Sequence, residues 1–310
     1  MKTPRLTRRS GLAAACLLAA GCVRSPAAPD APGGPPAAPE GIRDGARRRD
    51  GVAYGPDPRQ RADLHFPAAP RDGCPPPLVV FFYGGTWTHG SRGFYAFAGR
   101  ALADAGAVAM VADYRLSPAV RYPAFVEDGA AAVAWALDHA AALGADPRRV
   151  LAMGHSAGAY IAAMLALDGR WLGARGRAPR DLAGWIGLAG PYDFLPIANA
   201  EAQAAFGWPA TPPDSQPLAH AGAGAPRTLL LAGADDATVD PRRNTLALAD
   251  RLRGAGADVR ARLLPRVGHV GLVAALARPL RWWAPVHAEA AAFLHDAPGS
   301  TCYRPPVAGG

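Results

Sequence analysis

Short apolar runs alternate with longer alanine-rich segments along most of this 310-residue chain. Residues 78–83, Leu-Val-Val-Phe-Phe-Tyr, are apolar throughout, which is typical of a strand buried on both faces of a parallel sheet. The segments between such runs have the amphipathic pattern of helices. Because parallel strands need crossover connections, this alternation predicts one α/β domain with a mostly parallel central sheet and helices on both faces.

The predicted elements fall within a single domain over residues 51–297. The predicted strands are 61–66, 78–83, 107–113, 150–154, 185–189, 228–232 and 259–264, and the predicted helices are 94–105, 124–143, 156–167, 241–252 and 282–294. Residues 190–225 interrupt this rhythm with prolines, small residues and aromatic residues. We expect this insertion to form a small lid or pocket wall.

The formal net charge of +8 raises the question of an anionic partner. Residues 1–21 carry four of the 33 Lys and Arg residues and none of the 25 acidic residues, so the rest of the chain has a net charge of only +4. No aromatic-basic nucleic-acid module accompanies this charge. We therefore expect no nucleic-acid partner, and a hydrophobic content of 50% excludes a disordered chain.

The N-terminus has the composition of an export signal. Residues 1–21 begin with basic side chains and continue with an apolar run that is too short to cross a bilayer as a helix. The run ends in Leu-Ala-Ala-Gly before Cys22, which resembles the lipobox of bacterial lipoproteins. The resemblance implies that Cys22 is lipidated and anchors the protein to a membrane of the bacterial cell envelope, on its periplasmic or outer side. A soluble secreted or periplasmic product is the alternative.

Two flanking segments lack any folding pattern. Residues 22–50 are rich in Pro, Ala, Gly and Arg, which predicts a disordered linker in which Arg47, Arg48 and Arg49 are solvated. Residues 298–310 are expected to form a C-terminal tail. Residues 7–12 also resemble a twin-arginine export signal, so the export route stays open.

Lipidation changes the count of cysteines available for pairing. Cys16 would leave with the signal and Cys22 would carry lipid, which leaves Cys74 and Cys302 as an even pair in an oxidising compartment. We expect a disulfide between Cys74 and Cys302, with two unrelated free thiols as the alternative.

Residues 154–158 read Gly-His-Ser-Ala-Gly and stand between a predicted strand and a predicted helix. In that context the G-x-S-x-G pattern forms a sharp turn that presents the serine hydroxyl at the carboxyl edge of the sheet. The Ala157 amide, at the helix N-terminus, then points toward a developing oxyanion. The pattern alone occurs by chance, but its position between strand and helix predicts Ser156 as a nucleophile.

Two further motifs follow predicted strands, Tyr-Gly-Gly-Thr-Trp at residues 83–87 and Asp-Tyr-Arg-Leu-Ser-Pro at residues 113–118. Together with the serine motif they resemble the α/β-hydrolase superfamily, and within it the carboxylesterase and hormone-sensitive-lipase-like esterases. The resemblance covers about residues 61–293. It implies an α/β-hydrolase fold, and a structural role for Asp113 and Arg115 in holding the loops around the nucleophile.

The first of these motifs resembles the His-Gly-Gly-Gly-Trp oxyanion loop of the same esterases. Tyr83 replaces the histidine and Thr86 replaces the third glycine. Because a backbone N–H survives a change of side chain, the resemblance implies the amides of Gly85 and Thr86 as oxyanion donors, together with that of Ala157.

A serine hydroxyl needs an adjacent base, and that base needs an orienting carboxylate. Residues 233–239 follow a predicted strand with the pattern G-x-x-D-x-x-V, which resembles the acid-bearing loop of the family and implies Asp236. Asp235 and Asp240 are the alternatives. His269 follows the next predicted strand, in the order serine, acid, histidine that this fold uses, and the resemblance implies that it is the general base.

Six aromatic residues suggest an apolar pocket for an acyl or aryl group: Trp87, Tyr160, Tyr192, Phe194, Phe206 and Trp208. The resemblance implies a carboxylesterase-type serine hydrolase that cleaves small or medium ester molecules through an acyl-enzyme. Amide hydrolysis of the arylformamidase type shares these motifs and stays open, and a prolyl-oligopeptidase-like peptidase is a further rival. A non-catalytic lipoprotein that uses the fold as a binding module is the alternative from a different class.

Metal-binding patterns such as H-E-x-x-H or paired C-x-x-C do not occur, and the histidines are scattered. We expect no cofactor and no metal site. His287 and His295 lie on the last predicted helix and are expected to pack there.

Overall fold

The computed structural model describes residues 42–43, 46–69 and 74–296. Its strands are β1 (Ile42–Arg43), β2 (Ala46–Ala53), β3 (Arg61–Phe66), β4 (Leu78–Phe82), β5 (Val108–Ala112), β6 (Val150–His155), β7 (Gly184–Leu188), β8 (Thr228–Gly233) and β9 (Val259–Leu264). Its helices are α1 (Ala96–Asp104), α2 (Ala124–His139), α3 (Ala157–Leu167), α4 (Gly169–Gly173), α5 (Ala200–Phe206), α6 (Ala247–Gly254), α7 (His269–Ala274) and α8 (Val286–His295).

The strands form one sheet in the order β1-β2-β3-β5-β4-β6-β7-β8-β9. The pairs β1–β2, β2–β3 and β3–β5 are antiparallel, and every later pair is parallel. The prediction of a mostly parallel sheet with helices on both faces is therefore confirmed. Because parallel strands end at one edge, the loops after β4, β6, β8 and β9 meet there.

The central strands are buried because their sequences are apolar at every position. All residues of β4, β5 and β7 are buried, as the continuous apolar runs predict for strands covered on both faces. The last strand, β9, instead alternates, and its exposed positions include Arg260 and Arg262. Charged residues on an edge strand oppose pairing with another chain.

The predicted end of the linker at residue 50 is wrong. Strand β2 begins at Ala46 and pairs antiparallel with β3, so the sheet extends back into the segment expected to be disordered. Arg48 is half-buried, and its guanidinium lies 3.1 Å from the Asp63 carboxylate, so this arginine is not simply solvated. The paired carboxylate and the neighbouring strand supply the stabilisation that the polar sequence of β2 lacks.

The segment at residues 113–118 connects the sheet to its surroundings, in agreement with its expected structural role. Asp113 accepts a hydrogen bond from the Arg92 amide at 2.7 Å and pairs with the Arg92 guanidinium. Arg115 donates to both oxygens of Asp128, at 2.7 and 2.9 Å. The Asp128 side chain lies on α2 and is completely buried, so this ion pair ties the loop after β5 to that helix.

The insertion at residues 190–225 folds over the carboxyl edge of the sheet and contains α5. Asn244 accepts hydrogen bonds from the amides of Tyr192 and Asp193 at 2.6 and 2.8 Å, which joins the start of the insertion to the turn before α6. The Tyr122 amide donates to the Ala205 carbonyl at 2.8 Å. The Asn244 side chain and a backbone hydrogen bond thus hold the insertion as a wall of the domain.

Several predictions concern residues outside the described ranges, namely the signal over residues 1–21, lipidation at Cys22 and the tail at 298–310. Cys74 is disulfide-bonded, and Cys302, its predicted partner, also lies outside those ranges. Among the described residues, every helix is too short or too polar to cross a bilayer.

Candidate active site

Ser156 lies between β6 and α3 with φ 54° and ψ −122°, a backbone conformation that residues other than glycine rarely adopt. The turn is possible because two glycines allow close backbone approach. A Cβ at Gly154 would lie 2.2 Å from the Gly158 oxygen, and a Cβ at Gly158 would lie 2.1 Å from the Phe82 oxygen. The glycines thus permit the sharp turn that exposes the serine hydroxyl.

His269 and Asp236 converge on this serine from two other loops. His269 is the first residue of α7, and its Nε2 lies 2.9 Å from Ser156 Oγ. Its Nδ1 lies 2.8 Å from Asp236 Oδ2. The three side chains that the sequence predicts as catalytic are therefore in direct hydrogen-bond contact, in the arrangement of nucleophile, base and orienting acid.

The Asp236 carboxylate is held by its own loop as well as by His269. Its Oδ1 accepts the amides of Thr238 and Val239, each at 2.9 Å. Burial raises the pKa of Asp236, but the hydrogen bonds from His269 and from these two amides outweigh burial and leave the pKa below its ordinary value. Asp236 is therefore an ionised acceptor that fixes the ring orientation of the histidine.

The two alternatives to Asp236 lie elsewhere. Asp235 is exposed. Asp240 is also exposed, and its carboxylate accepts the amides of Arg242 and Arg243 at 2.8 and 3.2 Å. Asp240 thus begins the helical segment that follows, and the structure brings only Asp236 to the histidine.

The loop after β4 lies against the serine turn, since a Cβ at Gly84 would lie 2.9 Å from Ser156 Cβ. Gly85 has φ 136°, and Thr86 and Trp87 have φ 52° and 60°, three successive residues with positive φ. Thr86 and Ala157 both line the cavity beside Ser156. Gly85, the residue before Thr86, does not line it. The Ala157 amide is at the first position of α3 and has no acceptor within the helix, so it is available to a ligand.

Tyr83, which replaces the histidine of the resembled loop, anchors the loop from behind. Its ring is completely buried and stacks on Tyr114 with 4.6 Å between centroids. Its hydroxyl accepts a hydrogen bond from Arg59 at 2.8 Å, and burial raises its pKa above the ordinary value. The Tyr114 hydroxyl donates to the Tyr83 carbonyl at 2.8 Å, so side chain and backbone are both fixed.

A cavity of about 300 Å³ opens beside Ser156. Trp87 forms part of its apolar wall, as predicted. Tyr160 and Phe206 do not line it: both are buried behind Trp87, with ring centroids 5.2 and 4.7 Å from the indole. Trp208, 36% exposed, is also absent from the lining. Tyr160, Phe206 and Trp208 thus lie outside this cavity, and aromatic packing against Trp87 holds Tyr160 and Phe206 in the core.

Of the aromatic residues expected in the pocket, Trp87 and Phe194 line the cavity, and most of its other wall residues were missed by the sequence analysis. Its apolar part includes Phe194, Ile197 and Val239, and its polar rim includes Arg243. Arg243 pairs with Asp193 at 3.1 Å. These residues come from the insertion and from the loop after β8, and the only signal in the sequence was the position of the insertion between two predicted strands.

The sequence of the domain that forms this site matches a known family. The BD-FAE family model matches residues 62–252, more than half of the chain. The chain belongs to the BD-FAE family. The matched region of this BD-FAE protein includes Ser156 and Asp236 and ends before His269.

Curated relatives cover parts of the chain. Isoprenylcysteine alpha-carbonyl methylesterase of Arabidopsis thaliana is 31% identical over 155 residues, which are 49% of this chain and 36% of the relative. Carboxylesterase NlhH of Mycobacterium tuberculosis is 39% identical over 111 residues, 36% of this chain and 34% of the relative. Esterase LipC of the same species is 28% identical over 72% of this chain and 59% of the relative. The chain thus spans about 35% of the length of the first relatives that it matches.

Solved structures share the fold. A truncated form of a carbohydrate esterase from gut microbiota superposes with a TM-score of 0.68 at 17% identity, over 81% of this chain and 95% of that chain. The apo form of Thermogutta terrifontis esterase 2 gives 0.67 at 24% identity, over 82% and 95%. At these identities the likeness concerns the fold alone, and it confirms the α/β-hydrolase fold of this BD-FAE chain.

The two histidines of the last helix pack as the sequence suggests. On α8, His287 Nε2 lies 3.0 Å from the Ala101 carbonyl and His295 Nε2 lies 2.7 Å from the Ala105 carbonyl, so both face α1 and its end. Over the described part of this BD-FAE chain, no three His, Cys, Asp or Glu side chains are grouped so that they could hold a metal ion.

Proposed function

We propose that the protein is a carboxylesterase-type serine hydrolase that cleaves small or medium esters with apolar acyl or aryl groups. The observation that carries this proposal is the continuous hydrogen-bond contact from Asp236 through His269 to Ser156, at 2.8 and 2.9 Å. The names of the curated relatives, which include a carboxylesterase and a methylesterase, support the same reaction class.

The geometry accounts for each step of such a reaction. His269 Nε2 removes the Ser156 proton as Oγ attacks the ester carbonyl carbon, and Asp236 holds the ring and stabilises the charge that His269 gains. The carbonyl oxygen, now negative, would accept the amides of Ala157, Thr86 and Gly85. Collapse releases the alcohol with the proton from His269, and water then repeats the sequence on the acyl-enzyme.

The size and lining of the cavity support the substrate class. A volume of about 300 Å³ lies at the small end of ligand pockets, which fits a short acyl or aryl group better than a long lipid chain. Trp87, Phe194 and Ile197 offer apolar contacts, and the polar rim at Arg243 lies where the cavity meets solvent.

The test is turnover of p-nitrophenyl esters from acetate to octanoate by the full chain, with an anilide in parallel to detect amide hydrolysis. Ser156→Ala should lower kcat by at least about 10⁴-fold, because the nucleophile is removed while the fold is kept. Ser91→Ala, which removes a serine hydroxyl outside the site, is the matched control. Equal turnover by Ser156→Ala and the unsubstituted chain would refute the proposal.

A further inference from the structure

A buried series of hydrogen bonds passes behind the proposed triad and reaches three of its loops. Tyr95 precedes α1 and His155 ends β6, and neither takes part in the mechanism above. The Tyr95 hydroxyl lies 3.1 Å from His155 Nδ1, and His155 Nε2 lies 3.2 Å from the backbone oxygen of His269. The Gly84 backbone also lies near the Tyr95 hydroxyl, where it partly offsets the rise in the Tyr95 pKa that burial causes.

The direction of each hydrogen bond follows from the chemistry of its partners. A carbonyl oxygen only accepts, so His155 Nε2 carries the hydrogen and donates it to His269. The His155 ring is neutral, because burial and then the nearby His269 lower its pKa to about 3. Its Nδ1 is therefore an acceptor for the Tyr95 hydroxyl.

Each end of this series is adjacent to a functional group. Gly84 precedes the predicted oxyanion donors, His155 precedes Ser156, and His269 is the proposed base. The segments are in close contact, because a Cβ at Gly84 would lie 2.9 Å from both His155 Nδ1 and Ser156 Cβ. A displacement of one loop would therefore be passed to the others.

We propose that Tyr95 and His155 are positioning residues whose hydrogen bonds hold the oxyanion loop, Ser156 and His269 at their working distances. The inference rests on the proposed ester hydrolysis. Neither side chain lines the cavity, so their loss should lower kcat and leave KM within about twofold. His155 is 3% exposed, and its position in the serine motif is thus explained by the loops it joins.

The test is a double-mutant cycle with Tyr95→Phe and His155→Phe in the full chain. Each substitution interrupts the same series, so each should lower kcat roughly tenfold and the double variant should lose little more than either single variant. His155→Gln retains a donor and an acceptor and should keep more of kcat than His155→Phe. If His155→Phe does not fold, Tyr95→Phe and His155→Gln with their double variant complete the cycle.

The control is Tyr54→Phe, which removes a buried tyrosine hydroxyl that donates to the Asp113 carbonyl and takes no part in this series. It should lower Tm about as much as Tyr95→Phe and leave kcat unchanged. Two results would overturn the positioning role. One is a double variant in which the kcat losses of the two single variants multiply, and the other is a Tyr54→Phe variant that loses kcat together with Tm. An inactive unsubstituted chain would instead refute the proposed function, whereas an active chain unaffected by Tyr95→Phe would refute this inference alone.

Discussion

Asp128 and Asp236 both have fully buried carboxylates, but they have different partners. Asp128 accepts hydrogen bonds from the Arg115 guanidinium at both carboxylate oxygens and a further one from Gln60 at 2.7 Å. Asp236 instead faces an imidazole, that of His269. Arginine is always charged, so the first pair is a permanent ion pair, whereas the second becomes one only when His269 takes a proton. A carboxylate whose partner gains charge during a reaction stabilises the transition state more than the ground state.

The largest expected effect is on turnover. Asp236→Asn keeps the size of the side chain but removes the charge that fixes the His269 tautomer, so kcat should fall by about 10⁴-fold, measured with the ester that the unsubstituted chain turns over fastest. Asp235→Asn is the matched control, since Asp235 is the adjacent residue, is exposed and does not line the cavity. If kcat of Asp236→Asn fell by less than tenfold, the Asp236 charge would not have the role in turnover that distinguishes it from Asp128.

A smaller effect, on stability, is expected at the other carboxylate. Asp128→Asn leaves the Arg115 guanidinium without its charged partner, and the free energy of unfolding should fall by about 3 kcal/mol, measured by urea titration. The kcat of the protein that remains folded should be unchanged. Asp214→Asn, which breaks an exposed ion pair with Arg170, should cost under about 1 kcal/mol. Equal costs for the two substitutions would show that burial of Asp128 does not set the strength of its pair.

The smallest expected effect is a pH dependence of stability that arises from a buried histidine and not from either carboxylate. Burial lowers the pKa of His65 to about 4, below the ordinary value of about 6.5 that the unfolded chain retains. The unfolded chain therefore binds a proton first as the pH falls, and stability is lost from about pH 6.5 down to about pH 4. Asp236 stays ionised over that range because its pKa is lowered.

Between pH 7 and pH 5, His65→Gln should therefore lose about 2 kcal/mol less of its free energy of unfolding than the unsubstituted chain loses. His89→Gln replaces an exposed histidine and is the control. The measurement is urea unfolding at the two pH values. An unchanged pH dependence in His65→Gln would mean that the loss of stability in acid arises elsewhere, with the carboxylates as the next candidates.

The central strands and the serine turn could be predicted because their signals are local. The run at Leu78–Phe82 has no polar residue, and the pattern at residues 154–158 stands directly between a strand and a helix. Strand β2 was not predicted, because its sequence Ala-Arg-Arg-Arg-Asp-Gly-Val-Ala has no apolar alternation. Its pairing depends on the next strand, β3, and on the Asp63 carboxylate, neither of which can be read from the sequence of β2 itself.

The site shows the same division. Ser156, Asp236 and His269 could be predicted from motif spacing, because each follows a predicted strand and the fold fixes the order of the three. The cavity wall could not be derived in this way, since an aromatic residue in an insertion has no periodicity that tells a core position from a cavity position. Phe206 was expected in the pocket and packs behind it, and Ile197, which does line the cavity, carried no signal.

Trp87 belongs both to the cavity wall and to the loop of the predicted oxyanion donors, which matters for protein engineering. It follows the predicted oxyanion donors in the chain, has a positive φ of 60°, and its indole packs against Phe194 and Phe206. A smaller residue at this position would enlarge the cavity, but it would also release the loop that carries those donors. Substrate range and rate are thus coupled at Trp87. Directed evolution toward bulkier esters has a freer starting point at Ile197, whose side chain lines the cavity from the insertion and lies on a different loop from the donors.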